Sequence, residues 1–293
     1  MSVLRVTTAA ALVALFAAPA FAVDVPSDPV ARCKGLLSLG DSPLKDAKVG
    51  SVEAIGDTGC KFTDIKFQEP NDPTVISVAE ATMDKVDFAS VYNGKPSNTM
   101  TGKVTGISVT GPEAEAFLGK DAKPFDLLVD YVLDPATKQF TLTEFALRGD
   151  TLGDLTLTGA LDGINPDTAP NADPTQLLGT ASLRAFKLHF ENKGIIDRVL
   201  AFATAQGEDP KAAIEQGKSQ AVLGMAALSA MGVPEVAVKS LMAFAQDFPA
   251  LKGPLTISAS PSTPVPFAQF ATLKPGDAKS MELVKSLNVA VEY

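Results

Sequence analysis

Two cysteines are the residues whose covalent chemistry is simplest to predict. Cys33 and Cys60 are the only cysteines in the 293-residue chain. In an exported protein, two cysteines favour a disulfide bond, and a pair of free buried thiols is the alternative. Closing a loop of about 28 residues would stabilise the fold by about 3 to 4 kcal/mol in the chain-entropy model. We expect this bond to attach an N-terminal helix to the sheet that follows it.

The sequence supplies few ligands for a metal ion or a cofactor. The single histidine, His189, lies far from both cysteines, so structural zinc would lack soft ligands. No glycine-rich phosphate loop, Cys-x-x-Cys pair or EF-hand spacing occurs in the sequence. We therefore predict no metal and no cofactor.

A short segment around Ser42 suggests a hydrolase. Leu39-Gly40-Asp41-Ser42 resembles the nucleophile block of the GDSL hydrolases, and Gly163-Ile164-Asn165 faintly resembles their oxyanion block. In that family a histidine near the C-terminus, three residues after an aspartate, acts as the general base. His189 follows Phe186 at that spacing and about a hundred residues come after it, so the triad cannot form in the family's order. We predict a turn at Asp41 and Ser42 and no enzymatic activity, and a GDSL-like hydrolase is the least favoured alternative.

His189 alternates with Lys187 near the end of a predicted strand, between Leu188 and Phe190. This spacing places its ring on the polar face of that strand. A solvated or hydrogen-bonded histidine is the resulting prediction.

Composition and charge limit the classes of protein that fit this chain. Hydrophobic residues make up 46% and charged residues 20% of the sequence, which is typical of a folded protein. The formal net charge is -9, which opposes binding to nucleic acid because phosphate affinity requires excess lysine and arginine. Nucleic acid is thus not an expected partner.

The N-terminus has the features of a signal peptide. Arg5 precedes an uncharged stretch from Val6 to Ala17, and Ala20-Phe21-Ala22 forms a small-x-small cleavage site. The stretch is shorter than the roughly 20 residues that a membrane-spanning helix needs. We predict cleavage after Ala22, no transmembrane segment in the remaining chain, and a soluble protein in the periplasm.

The elements that would position these residues begin with a helix and continue as strands. Asp28-Pro29 starts a helix predicted from about Pro29 to Leu39. Apolar residues then recur at every second position, with turn residues between the runs. The predicted strands are Val49 to Ile55, Cys60 to Phe67, Val75 to Ala79, Val86 to Tyr92, Val104 to Val109, several runs between Phe125 and Leu161, and Leu183 to Phe190. The short connections favour antiparallel pairing.

After Gly194 the period becomes helical. Three helices are predicted, starting near Ile195, after Asp209-Pro210 and at Pro234. A strand from Leu255 to Ala259, a helix after Asp277 and a strand from Leu287 to Tyr293 complete the chain. The prediction is an α+β fold, a curved antiparallel meander whose apolar face is covered by the C-terminal helical block. Residues 1–22 form the signal peptide and residues 23–293 one domain, with mainly strands in 23–190, helices in 191–250 and closing strands with a short helix in 251–293.

Part of the strand region resembles known envelope proteins. The leucine-threonine ladder from Leu152 to Leu161, followed by a strand, the segment Glu191 to Arg198 and helices, resembles periplasmic proteins of the AsmA and YdgA type. The segments Leu255 to Pro261 and Pro264 to Pro266 resemble uncharacterised exported proteins of alphaproteobacteria. Those families imply long curved sheets with an apolar concave face and a role in handling lipid in the envelope.

Two classes of function follow from these patterns. The first is a structural or interaction protein of the envelope, since period-two apolar residues are what any half-buried sheet shows. The second is a carrier for a lipid or another apolar ligand, because small residues in the helix after Asp209 could leave a groove over the sheet. The partner would be another envelope protein in the first case and a lipid in the second. The predicted ligand-lining residues are Leu127, Leu142, Leu155, Leu157, Val222 and Met225.

Overall fold

The structure is a computed structural model that describes residues 24–39, 46–68, 72–165 and 179–293. The predicted signal peptide and the Gly40 to Ser42 part of the hydrolase-like segment lie outside the described residues.

A single antiparallel sheet runs through the described residues and contains eleven strands. Their bounds are β1 Ser51–Ile55, β2 Gly59–Gln68, β3 Val75–Asp84, β4 Thr99–Thr110, β5 Phe125–Asp134, β6 Gln139–Gly149, β7 Gly153–Asp162, β8 Ser182–Asn192, β9 Leu255–Ala259, β10 Val265–Pro266 and β11 Ala290–Glu292. Strands β1 to β9 lie side by side in chain order, β11 follows β9, and β10 pairs with β8. The sheet is open and forms a meander, as the alternating sequence pattern predicts.

Eight helices lie in the described part of the chain. They are α1 Pro29–Ser38, α2 Phe88–Tyr92, α3 Pro112–Leu118, α4 Ile195–Ala205, α5 Pro210–Ala230, α6 Glu235–Asp247, α7 Phe267–Phe270 and α8 Ala278–Ser286. The α+β class is confirmed. The predicted helices that begin after Asp28, Asp209 and Asp277 are confirmed too, and each of these aspartates accepts hydrogen bonds from the first turn of its helix.

The strand predicted from Val86 to Tyr92 is wrong. This segment contains helix α2, whose N-cap Asp87 accepts hydrogen bonds from the backbone N–H and the hydroxyl of Ser90 at 3.1 Å and 2.7 Å. Capping satisfies helix N–H groups locally, so a short run of apolar residues need not pair as a strand. The side chains of Phe88 and Tyr92 project from this helix and are buried.

Helix α1 covers the first strands of the sheet and is covalently attached to them. The predicted disulfide is present, with Cys33 of α1 bonded to Cys60 of β2 and their Cα atoms 5.5 Å apart. Both cysteines are buried, and the Tyr92 hydroxyl donates a hydrogen bond to the carbonyl oxygen of Arg32 at 2.8 Å. The N-terminal helix is therefore held to the sheet as the sequence predicts.

The C-terminal residues join the same sheet. Strand β9 pairs with β8 from Phe190 opposite Leu255 to Phe186 opposite Ala259, and β11 pairs with β9. The final strand is shorter than predicted, because Leu287 ends helix α8 instead of starting a strand. Helix α6 packs against β11 beside this pair.

Candidate functional site

Cross-strand pairing brings apolar residues of six strands into continuous rows. Directly paired residues of antiparallel strands lie on the same face of the sheet. Three rows cross from β4 to β9: Val104, Leu127, Leu147, Leu155, Phe190 and Leu255; Gly102, Val129, Phe145, Leu157, Leu188 and Ile257; and Met100, Tyr131, Leu142, Gly159, Phe186 and Ala259. One face of the sheet is therefore apolar across these strands.

Two buried clusters occupy the two ends of this apolar face. The first contains residues of α1, α2 and β2 to β5, including Met100, Val104 and Leu127. The second contains Leu255 and Val291 under helix α6. Each end of the face is thus covered and forms core.

The residues between the clusters are only half-buried. We call this surface the apolar floor and define it by Leu142, Leu155, Leu157, Phe186, Leu188 and Phe190. None of the six belongs to either cluster of the described residues. The apolar floor is therefore an apolar sheet surface with partial access to solvent, bounded on two sides by buried core.

The opposite face of the same strands is mainly polar, although Leu128, Val132 and Ala146 also lie on it. His189 lies on that face, opposite Thr156 and Thr256, and its Nδ1 is 3.0 Å from the Thr256 hydroxyl. The hydrogen-bonded histidine predicted on the polar face is confirmed.

Tyr131 is the only residue in these three rows with a polar side chain. It lies between Met100 and Leu142, beside the apolar floor, and its ring is 5.7 Å from that of Phe140. Burial disfavours the charged phenolate and raises the pKa of Tyr131 to about 12. Its neutral hydroxyl can offer one hydrogen bond at the edge of an apolar surface.

The predicted lining residues divide into two groups. Leu142, Leu155 and Leu157 lie on the apolar floor, and Leu127 lies on the same face but is buried in the first cluster. Val222 and Met225 lie on α5, whose main contacts are with α6 and α4 and not with a strand. Val222 is 54% exposed, and α5 has no fully buried residue. The structure brings the four leucines together and places the two α5 residues elsewhere.

Half of the apolar floor was not predicted from the sequence. Phe186, Leu188 and Phe190 pair directly with Gly159, Leu157 and Leu155. Their alternation in β8 was visible in the sequence, but only the strand register assigns them to the same face as the leucines of β7.

The described residues hold no group of three or more His, Cys, Asp or Glu side chains that could bind a metal ion. Among the same residues, no helix combines the length and apolarity required to cross a membrane. Of the hydrolase-like segments, the one around Gly163 is described, whereas Asp41 and Ser42 are not.

Comparison with known proteins gives a family match over the second half of the chain. A family model described as "Uncharacterized protein" matches residues 146–293, about half of the chain. The chain belongs to this family. The family segment includes five of the six apolar-floor residues, the helices α4 to α8 and the closing strands. A search of the curated proteins found no match.

Proposed function

We propose that this protein is a non-enzymatic binding protein that carries the apolar chain of a lipid in the periplasm, after removal of residues 1–22. The observation that carries the proposal is the apolar floor, which lies between two buried clusters and belongs to neither. A sheet face that served only as core would be covered along its whole length, as it is at both ends.

The dimensions of the apolar floor suit a single acyl chain. The floor is about 13 Å long in the direction of the strands and about 10 Å wide across its three strands. The hydrocarbon of one membrane leaflet is about 15 Å thick, half of the bilayer core. One acyl chain laid across the rows would contact the three half-buried leucines and the three β8 residues together.

The energetics favour an apolar occupant. Moving a methylene group out of water onto an apolar surface is worth about 0.8 kcal/mol. A chain of several methylene groups can therefore offset the entropy lost on binding. A polar ligand would gain no hydrogen bonds from the six side chains of the apolar floor.

A second candidate function is that of an interaction or structural protein of the envelope. It is favoured by the exposed hydrophobic side chains Val222 and Leu223 of α5 and Val236 of α6. In this case a partner protein would contact the helical block, and the apolar floor would have no ligand.

Lipid extraction tests the first function. The protein is purified from its native envelope, and bound lipid is measured by mass spectrometry for the wild type, Leu157→Gln and Thr158→Gln. Leu157 lies on the apolar floor, and Thr158 lies next to it on the opposite face. We expect about one lipid per chain for the wild type and Thr158→Gln, and a strong decrease for Leu157→Gln, because the buried amide would lose its hydrogen bonds to water.

Two outcomes would contradict lipid carriage on the apolar floor. One is a wild-type protein that is free of lipid and does not take up a fatty acid in vitro. The other is an equal lipid content in both variants, which would place the lipid away from the apolar floor. A lipid-free protein that loses a specific partner on Leu223→Glu would favour the interaction protein instead.

A further inference from the structure

A cleft of about 270 Å³ opens at one end of the apolar face, between α3 and the ends of β4 and β5. Its apolar lining comes from Ile107, Val109, Leu118, Phe125 and Leu152. Its charged lining consists of Glu115, Lys120 and Lys123. The cleft therefore combines an apolar wall with a charged rim.

The cleft exists because the end of β4 extends beyond the start of its neighbour β5 in the sheet. Strand β4 pairs with β3 as far as Thr110, but its pairing with β5 stops where Ile107 meets Phe125. The chain between these strands forms α3 and the segment after Gly119, so the last residues of β4 border the cleft on the side where β5 no longer pairs with them.

The apolar face continues into this cleft. Phe125 precedes Leu127 by two residues and so lies on the same face of β5. Leu152 and Phe125 approach each other over Gly149, where an added Cβ atom would lie 3.2 Å and 3.3 Å from their Cβ atoms. The apolar residues of the floor and those of the cleft lining are therefore contiguous on one face of the sheet.

The charges of the lining favour a singly charged anion. Lys123 is 3.5 Å from Asp150, and Arg198 is 3.3 Å from Asp121, so these two acids are paired. Lys120 makes no ion pair with any described residue and remains available. The lining holds two lysines and one glutamate in a chain whose net charge is -9. An anion in the cleft meets the unpaired Lys120, and Glu115 in the same lining opposes a second negative charge there.

We infer that this cleft binds the carboxylate head of a long-chain fatty acid whose hydrocarbon tail lies on the apolar floor. The inference rests on the proposed function and adds a head-group site and a ligand class to it. Lys120 is the residue that recognises the head, through a charge-assisted hydrogen bond. From the cleft to the far row of the apolar floor the distance is about 20 Å along the strands, which suits one fatty acid.

The test compares a charged and a neutral probe with the same tail. The probes are 11-(dansylamino)undecanoic acid and its methyl ester, and their dissociation constants are measured by fluorescence at low ionic strength. The variants are Lys120→Glu and the control Lys103→Glu, whose side chain is exposed on the polar face of β4. We expect Lys120→Glu to weaken binding of the acid about tenfold and that of the ester less than twofold, with no change for Lys103→Glu.

A third variant separates this inference from the proposed function. Leu157→Gln should weaken both probes, because it changes the surface under the shared tail. If Leu157→Gln weakens both probes but Lys120→Glu affects neither or both equally, the tail site stands and the head-group site is overturned. If the wild type binds neither probe, or if Leu157→Gln changes nothing, the proposed function fails and the inference fails with it.

Discussion

Tyr92, which is buried in the first cluster, and Tyr131, which is half-buried against it, differ in their hydrogen bonding. The Tyr92 hydroxyl donates to the Arg32 carbonyl oxygen, whereas the Tyr131 hydroxyl has no partner among the described residues. The Tyr131 hydroxyl is not among the buried unpartnered atoms of the described residues and keeps access to solvent, so its removal should be close to neutral. The two residues therefore form a matched pair for mutation.

We expect Tyr131→Phe to leave the free energy of unfolding at neutral pH within about 0.5 kcal/mol of wild type, and Tyr92→Phe to lower it by about 1 kcal/mol. Urea denaturation followed by circular dichroism measures both values. A large loss for Tyr131→Phe would mean that its hydroxyl has a partner in solution.

Tyr131 also predicts a pH dependence at alkaline pH. Its pKa is about 12 in the folded protein and about 10 in the unfolded chain, so only the folded state keeps the proton between these values. Stability should therefore fall as pH rises from about 10 to 12. The loss should be smaller in Tyr131→Phe, and equal losses in variant and wild type would contradict the assignment.

At the scale of elements, helices are fastened to the sheet by contacts between residues far apart in sequence. The disulfide fastens α1 to β2, and Phe244 of α6 meets Tyr293, with ring centroids 5.4 Å apart. The Tyr293 hydroxyl donates to Asp247 at 3.0 Å, and Lys252 Nζ donates to the same carboxylate at 2.7 Å. Both attachments lie at the ends of the apolar face, and no such attachment to its middle occurs in the part of the chain that the structure describes.

Removal of the disulfide should mainly affect global stability. The double variant Cys33→Ala/Cys60→Ala should lose about 3 to 4 kcal/mol, since the unfolded chain gains the entropy of an open loop. Guanidinium denaturation of the variant and of oxidised wild type measures this loss. Equal midpoints for the two proteins would show that the bond does not stabilise the fold.

Asp247 predicts an acid-dependent stability of the α6 attachment. The hydrogen bond from Lys252 is the main cause that holds the pKa of Asp247 below its ordinary value of 3.8. This contribution is complete above the unfolded pKa and is lost as pH falls through the lower folded value. Asp247→Asn should therefore flatten the decrease in stability below about pH 4, relative to wild type and to the exposed control Glu282→Gln. Parallel curves for all three proteins would contradict this role.

At the scale of the whole molecule, the closing strands connect the last part of the chain to the sheet. Strand β9 covers the edge of β8 that would otherwise be free, and Leu255 is buried in the second cluster. Since β8 is itself paired with β7, the ladder is continuous from β1 to β11. A perturbation near the C-terminus should therefore reach the N-terminal cluster.

Leu255→Ala tests this coupling. It should lower the free energy of unfolding by about 2 to 4 kcal/mol through a cavity in the second cluster. The protein should still unfold in a single transition, which includes Tyr92 and Tyr131 at the first cluster. The control is Ser258→Ala, which lies on the opposite face of the same strand. Thermal melts in the near ultraviolet, compared with far-ultraviolet melts, would show separate transitions if the two clusters unfold independently. Deletion of residues 254–293 should remove cooperative unfolding altogether.

The sequence by itself determined most of the elements of this protein. The capping aspartates Asp28, Asp209 and Asp277 locate three helices because capping is a local interaction. Alternation along β5 to β8 identifies strands with one apolar face, because side chains project to opposite faces of a strand in turn. The number of cysteines and the predicted export also led to the correct disulfide.

Tertiary structure alone decided where those elements form core and where they form a surface. The residues Leu127 and Leu157 have the same alternation in sequence, yet the first is buried in a cluster and the second is half-buried on the apolar floor. The difference arises because α1 and α2 lie over one end of the sheet and α6 over the other, and the pairing of distant strands sets those positions. Burial depends on which elements pack against each part of the sheet. A period of two in a single strand does not show whether a helix lies over that strand.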